Sequence, residues 1–334
     1  MRSMLSLHHS LLAVFLALML SHTACAPPIA SAISDGPVVR LYGCDQTFGE
    51  HQAGPFRLLH DGDGQWAQRI GDLLEGQADL YRRTFEDAGF SLQTFTGPLT
   101  WVCFTSADAF HNYASKVDSM TGRRLDAYYS ARTNRVAILR QGRSRGSSRL
   151  AFEADSEIGL HASDISSEDA VRARHEAAHQ LAFNTGLLRR GLVYPMWATE
   201  GLATNLETGK GIGRAYEPDN PRSRHLATIR RSGRLIPLSE LVGLTRVGDH
   251  SSHDVYAMSW AFFRFAYLRH RTALMTYLRA MQDLPTGRGS DARRSREFTS
   301  AFGPVELLEA QWEDFLAELA GHPRPPLPAV RRRI

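Results

Sequence analysis

Apolar and polar positions follow two kinds of spacing over the first part of the chain. Apolar residues recur every three or four positions over 65–88, which predicts an amphipathic helix, and a shorter helix is predicted over 107–114. Short apolar runs bounded by turn residues predict strands instead. These strands are 38–42, 56–60, 98–104, 127–130 and 135–139, and the last two are joined as a hairpin. This part of the chain is therefore expected to form an α+β lobe.

Helical spacing dominates the second part of the chain. A helix is predicted over 167–183, with Ser166 at its N-cap and Gly186 just past its end. Residues 141–164 are rich in Gly, Ser, Arg and Asp without any period, which is typical of a loop between two lobes. The further predicted helices are 196–207, 256–267, 272–281 and 305–319.

The first 24 residues have the layout of a secretory signal, with an apolar run over 11–20 followed by small residues. This run is shorter than the roughly 20 residues needed to cross a bilayer, so the mature chain is expected to lack a transmembrane helix. Export to the periplasm or cell envelope of a bacterium follows. Cys25 ends an incomplete lipoprotein box, because His22 stands where an aliphatic residue is usual. A lipid anchor at Cys25 stays open beside ordinary cleavage, either near Ala24 or after the Ala30-Ser31-Ala32 pattern.

These patterns divide the chain into five segments. They are a signal peptide over 1–24, an Ala/Pro-rich spacer over 25–37, a sheet lobe over 38–150, a helical lobe over 151–320 and a Pro/Arg-rich tail over 321–334.

Composition and charge exclude several classes of protein. With 43% hydrophobic and 22% charged residues the chain is an ordinary folded protein. The net charge is +4, and the basic residues are dispersed, so no nucleic-acid partner is expected. Cys44 and Cys103 are predicted to pair in an oxidising compartment, with two buried thiols as the alternative.

Residues 175 to 179 read His-Glu-Ala-Ala-His inside the predicted helix over 167–183. At 3.6 residues per turn, positions i and i+4 lie on one face, so His175 and His179 can bind one metal ion. Glu176 then stands beside the ion, where it can accept a proton from a bound water. The alternative interpretation is a helix whose two histidines are hydrogen-bonded structural groups.

A catalytic zinc site needs a third protein ligand and one open position. The metzincin pattern would place Gly and His three and six residues after His179, but those positions hold Ala182 and Thr185. Glu200, on the next predicted helix, is the candidate that remains. The turn that ends at Gly186 allows this second helix to fold back towards the first.

The two helical motifs resemble those of gluzincins. H-E-A-A-H followed by W-A-T-E-G-L-A is similar to aminopeptidase N-like and thermolysin-like peptidases, in which the Glu of the second motif is the third zinc ligand. The longer stretches H-E-A-A-H-Q-L-A-F-N-T-G-L and P-M-W-A-T-E-G-L-A-T-N-L-E resemble bacterial exported proteins of the domain of unknown function family 1570, within the peptidase MA-like clan. The similarity covers about residues 56–319. Ala198 departs from the larger Leu or Phe often found after the Trp, a change in packing and not in ligands.

The resemblance implies a zincin-like α+β fold, with a zinc site between the sheet lobe and the helical lobe. His175, His179 and Glu200 would hold Zn²⁺, which lowers the pKa of a bound water and polarises a peptide carbonyl. Glu176 would act as general base and later carry the proton to the leaving amine. The activity implied is that of a zinc metallopeptidase with a peptide or protein substrate.

The developing oxyanion needs a hydrogen-bond donor, which related peptidases supply from a later helix. Tyr256 is the candidate and His253 the alternative, while Tyr256 as a packing residue stays open. Trp197 is interpreted as a core residue. His225, His250 and His253 lack the spacing of a metal cluster.

The hairpin strand over 135–139 precedes the zinc helix, and by analogy with zincins the sheet edge is expected to pair with an extended peptide. Two other functions remain open at the level of the sequence. One is a catalytically silent zincin-fold binding or scaffold protein of the envelope. The other is a zinc amidase that acts on a non-peptide amide such as a cell-wall bond.

Overall fold

The computed structural model describes most of the chain between residues 33 and 321. The predicted signal peptide with Cys25, most of the spacer, most of the loop over 141–164 and most of the tail lie outside the described residues. None of the described helices combines the length and the apolar composition needed to cross a membrane. The described residues are 33–35, 38–41, 44, 46–120, 125–141, 165–213, 217, 220–287 and 291–321.

A mixed sheet of seven strands, in the order β1-β2-β3-β4-β5-β7-β6, dominates the first part of the chain. Strands β4, β5 and β7 are parallel neighbours, and the remaining pairs are antiparallel. The strands are β1 (Ile33–Asp35), β2 (Val38–Arg40), β3 (Thr47–Ala53), β4 (Phe56–His60), β5 (Leu99–Phe104), β6 (Ala127–Ser130) and β7 (Arg135–Leu139). The five predicted strands are confirmed, and β1 lies inside the predicted spacer.

The described residues form ten helices, two between strands of the sheet and eight after its last strand. They are α1 (Gly64–Glu86), α2 (Ala107–Lys116), α3 (Ser167–Asn184), α4 (Met196–Leu206), α5 (Pro221–Arg231), α6 (Leu238–Leu241), α7 (Ser252–Arg269), α8 (Arg271–Gln282), α9 (Asp291–Phe302) and α10 (Val305–Leu319). The predicted helices are confirmed, with shifts of a few residues at their ends. The sequence analysis missed α5, α6 and α9.

The chain divides into two compact units. The first unit comprises Met1–Val193, Leu202–Gly211 and Leu284–Gly289, and the second comprises Tyr194–Gly201, Ile212–Asp283 and Ser290–Ile334. Helix α3 falls in the first unit. The physical reason is that α3 packs against α1, β6 and β7.

Within the first unit, the sheet is covered on both faces. Helix α2 packs on one face, over a core that includes Phe48, Phe104, Phe110 and Tyr128. Helices α1 and α3 pack against each other; α1 also packs on β3 and β4, and α3 on β6 and β7. Because β4, β5 and β7 are inner strands covered by helices, their residues are almost all buried.

The predicted disulfide between Cys44 and Cys103 is wrong, since both cysteines are free. Successive residues of a strand point to opposite faces of the sheet. Val102 and Phe104 of β5 belong to the core on the α2 face, and Cys44 packs against that same core. Cys103 therefore points to the other face, away from Cys44. Burial raises the pKa of the Cys103 thiol well above its usual range.

The second unit is built around a cluster of aromatic rings. The Trp197 ring lies 5.0 Å from Phe262 and 5.1 Å from Tyr277, measured between ring centroids. Phe298 and Phe302 of α9 stack on each other at 4.7 Å and also contact Trp197. The dense apolar and aromatic pattern of α7 and α8 is thus the core of a helical unit, as the sequence predicts.

Candidate metal centre

Helix α3 begins where the sequence predicts. The Ser166 side chain accepts a hydrogen bond from the Asp169 backbone N–H at 3.0 Å, which caps the first turn. Thr185 follows the last helical residue, and Gly186 adopts a φ of 72° just beyond it. From residue 175 to 183 every residue of α3 is buried. The motif therefore lies in the protein interior, where the polar side chains need specific partners.

The structure brings the three predicted ligands together. One ligand atom from each of His175, His179 and Glu200 lies within 4.8 Å of the other two, and all three residues are buried. The two imidazole Nε2 atoms are 3.2 Å apart. The i, i+4 spacing places both rings on one side of α3, as expected. Among the described residues this is the group of His, Cys, Asp and Glu side chains that fits a metal ion.

The carboxylate of Glu207, which was not predicted as a site residue, contacts His175. Glu207 follows the last residue of α4, and its Oε2 lies 3.4 Å from His175 Nδ1. Since a carboxylate accepts, Nδ1 donates the proton, which leaves Nε2 with its lone pair free to bind a metal. The sequence held a signal for this residue. Glu207 comes seven positions after Glu200, so two helical turns place both on one side of α4.

Helix α4 is buried on every side. Trp197 Nε1 donates to the Val242 backbone oxygen at 3.2 Å, and its ring lies inside the aromatic cluster, so its interpretation as a core residue is confirmed. Gly201 allows close approach to α7, since a Cβ there would lie 2.4 Å from the Ser259 backbone oxygen and 2.8 Å from Phe263 Cβ. The Gly after Glu200 is therefore required by packing.

Tyr256 is buried on α7, with 3% of its surface exposed. It lies one and two helical turns before Ser259 and Phe263, the residues that approach Gly201. The Tyr256 side of α7 is thus the side that approaches Gly201, the residue after Glu200 in α4. The Arg222 guanidinium also lies over the Tyr256 ring, 5.7 Å from its centroid.

The three other histidines considered from the sequence do not form one cluster. His225 Nε2 lies 2.7 Å from Asp254 Oδ1, and the His225 and His253 rings are 6.1 Å apart between centroids. His250 pairs elsewhere, with Glu240 at 2.6 Å.

The strand over 135–139 was expected to lie at the sheet edge, but it does not. β7, the strand over 135–139, lies between β5 and β6, and so β6 is the edge strand. Among the described strands β6 pairs with β7 alone, and it also packs against α3.

One family model matches the segment of the chain that contains the three candidate ligands. Residues 169–285 match the model of a family described as protein of unknown function (DUF1570). The match covers α3, α4 and α7, and thus His175, His179, Glu200 and Tyr256, but it is shorter than the similarity over 56–319 that the motifs suggest. No curated protein matches the chain.

Proposed function

We propose that the chain is an exported zinc metallopeptidase that resembles the gluzincins of the peptidase MA-like clan. One observation carries the proposal: a buried group of two histidines and one glutamate, with Glu176 next to the first histidine in the helix. The sequence motif alone offered the alternative of two structural histidines. The convergence of Glu200 on the same point favours a metal site.

The donor set fits zinc. Two imidazole nitrogens and one carboxylate oxygen are the ligands of catalytic zinc sites, which keep one position for water or substrate. Glu207 at His175 is the kind of carboxylate partner that orients a metal-binding histidine. When bound, Zn²⁺ would lower the pKa of a water and polarise the carbonyl of the substrate.

Glu176 and Tyr256 supply the remaining chemistry in this proposal. Glu176 is 2% exposed and follows His175 directly, so its carboxylate would accept the proton of the attacking water and deliver it to the leaving amine. The Tyr256 hydroxyl would donate to the oxyanion as negative charge develops. The position of Tyr256 on the α7 side that approaches Gly201 supports this role, with His253 as the alternative donor.

The substrate proposed is a peptide or protein in extended conformation. β6 is an edge strand beside α3, so a peptide that adds to β6 would form backbone hydrogen bonds next to the helix that bears the two histidines. We place the protein in the periplasm or cell envelope, with a lipid anchor at Cys25 if the box around it is processed. These last points rest on the sequence.

Metal analysis of the purified mature chain tests the proposal. We expect about one zinc per chain, and we expect Glu200→Ala to lose most of it, because only two protein ligands remain. Glu240→Ala is the matched control, since Glu240 is exposed and pairs with His250 outside the group. Full zinc occupancy in Glu200→Ala would contradict the ligand assignment.

Activity assays distinguish the functions that the same site can serve. Hydrolysis of casein or of a peptide library, abolished by a chelator, supports the peptidase. Chelator-sensitive cleavage of peptidoglycan alone would indicate the amidase. Zinc binding without hydrolysis of any of these substrates would indicate a silent binding protein and would contradict the proposal.

A further inference from the structure

Gln180 directly follows His179 in α3, and its side chain is fully buried against the sheet. Its Oε1 accepts a hydrogen bond from Trp101 Nε1 at 2.8 Å. Its Nε2 donates to two backbone oxygens, that of Thr100 at 3.3 Å and that of Asn134 at 3.1 Å. Both amide hydrogens and one oxygen lone pair are used, so the amide is held in a single orientation.

Asn184, the last residue of α3, links Gln180 to a second group of amide hydrogen bonds. Asn184 Nδ2 donates to the Gln180 backbone oxygen at 2.7 Å. The side chains of Asn184 and Asn134 form a reciprocal amide pair, with both N···O distances at 2.8 Å. Asn134 lies in the β6–β7 turn with a φ of 57°, which Asn tolerates better than most residues. We call Gln180, Asn184 and Asn134 the amide bridge.

The amide bridge gives α3 a directional contact with the sheet. Apolar packing tolerates small shifts of a helix, whereas a hydrogen bond weakens steeply once its distance and angle leave a narrow range. A metal site needs its ligands within about 0.5 Å of the binding geometry. Because Gln180 is the neighbour of His179, its hydrogen bonds fix the rotation of α3 where the imidazoles leave the helix.

We propose that the amide bridge positions His175 and His179 for the metal, with Gln180 as the central positioning residue. The inference rests on the proposed function, since it concerns the same site. A buried amide that served stability alone would have no influence on metal affinity in the folded protein. Metal affinity is therefore the property that separates a positioning role from a merely structural one.

The test is Gln180→Leu, which keeps nearly the same volume and removes all three side-chain hydrogen bonds. Zinc affinity is measured by competition with a chromophoric chelator, at a temperature where circular dichroism shows parent and variant fully folded. We expect about tenfold weaker zinc binding, as for other groups that orient metal ligands. The visible absorption spectrum of the Co²⁺-substituted protein should also shift, because it reports ligand geometry.

Tyr128→Phe is the matched control. The Tyr128 hydroxyl donates to Asp118 at 2.9 Å in the core on the other face of the sheet. Its removal deletes a buried hydrogen bond of comparable kind, away from α3. We expect lower thermal stability in this variant, with the zinc affinity and the Co²⁺ spectrum of the parent.

Asn134→Gly is a milder second variant. Gly tolerates the φ of 57° and keeps the backbone oxygen that accepts from Gln180. The variant loses both hydrogen bonds of the amide pair with Asn184, together with the one that the Tyr129 hydroxyl donates to Asn134 Oδ1. We expect about threefold weaker zinc binding, a smaller effect than that of Gln180→Leu, because Gln180 keeps all three of its side-chain hydrogen bonds. This variant decides the question if Gln180→Leu does not fold.

The outcomes separate this inference from the proposed function. If the parent chain binds no zinc, the proposed function fails and the positioning role fails with it. If the parent binds zinc and folded Gln180→Leu binds it equally well, with an unchanged Co²⁺ spectrum, Gln180 serves stability alone and the inference is wrong. Parent-like zinc affinity in Asn134→Gly overturns it in the same way when Gln180→Leu is unfolded.

Discussion

The two helices that supply the His-His-Glu group are held in different ways. Helix α3, which carries His175 and His179, is tied to the sheet by the amide hydrogen bonds of Gln180. Helix α4, which carries Glu200, is packed among aromatic rings around Trp197. The orientation of α3 is thus set by directional hydrogen bonds, whereas α4 is held by the packing of aromatic side chains.

This difference has consequences for mutations. A hydrogen bond specifies orientation but contributes only about 0.5–1.5 kcal/mol net to stability. A buried aromatic ring contributes several kcal/mol but tolerates small rotations. Changes on α3 should therefore act mainly on metal binding and turnover, and changes around α4 mainly on the free energy of unfolding.

Glu176→Gln tests the α3 side most strongly. The amide keeps the shape of the side chain but cannot accept the proton, so turnover should fall by about 10² to 10⁴. Zinc content and melting temperature should match those of the parent. Steady-state kinetics on a peptide that the parent cleaves, together with metal analysis, measures both. Normal turnover in this variant would exclude Glu176 as general base.

Trp197→Ala tests the α4 side. Loss of the ring opens a cavity in the aromatic cluster, and we expect the free energy of unfolding to fall by about 3–5 kcal/mol in a denaturant titration. Trp197→Phe should cost less, because a ring still fills part of the space. If Trp197→Ala left stability unchanged and only weakened zinc binding, the contrast between the two helices would be wrong.

Tyr256→Phe examines a residue on α7, which packs against α4. If the hydroxyl donates to the oxyanion, kcat should fall by about 10² to 10³ with zinc content unchanged. Tyr277→Phe is the control, since Tyr277 is also buried on a helix of the second unit and its hydroxyl has no hydrogen-bond partner among the described residues. We expect it to retain kcat. Equal kcat in both variants would move the donor role to His253.

Glu207→Gln gives the smallest of these effects. The amide can still accept from His175 Nδ1, but without the negative charge that makes the imidazole a better ligand. We expect zinc affinity to weaken by about tenfold, with kcat per bound zinc and melting temperature close to those of the parent. Chelator competition measures the affinity. Unchanged affinity would show that this carboxylate does not tune His175.

The sequence predicted the elements that have a clear apolar period and missed those that do not. β3 was missed because polar side chains such as Glu50 and His51 interrupt it and only Phe48 and Ala53 are buried along its length. α5 and α9 were missed because polar and charged residues together fill most of their positions, with few buried apolar residues in each. Packing against other helices, α7 for α5 and α8 for α9, decides their conformation.

The predicted disulfide between Cys44 and Cys103 also failed because it depends on tertiary structure. Two cysteines in a chain with a predicted secretory signal suggested a pair, but cysteine spacing carries no information on which face of a strand each thiol occupies. That depends on the phase of β5, which places Cys103 opposite the core that Cys44 contacts. The number and spacing of the cysteines do not reveal which face of the sheet Cys103 occupies.

The sequence by itself determined the chemistry of the candidate site. The i, i+4 histidines and the glutamate between them follow from local helical geometry, which depends only on neighbours in the chain, and the second motif named Glu200 as the third candidate ligand. Tertiary structure brought Glu200 to the two histidines. Tertiary structure decided which polar groups support this site. Glu207 reaches His175 from the end of another helix, and Gln180 binds backbone oxygens of strand β5 and the β6–β7 turn. These contacts join residues that are distant in sequence, so packing of the whole unit, and no local pattern, brings them together.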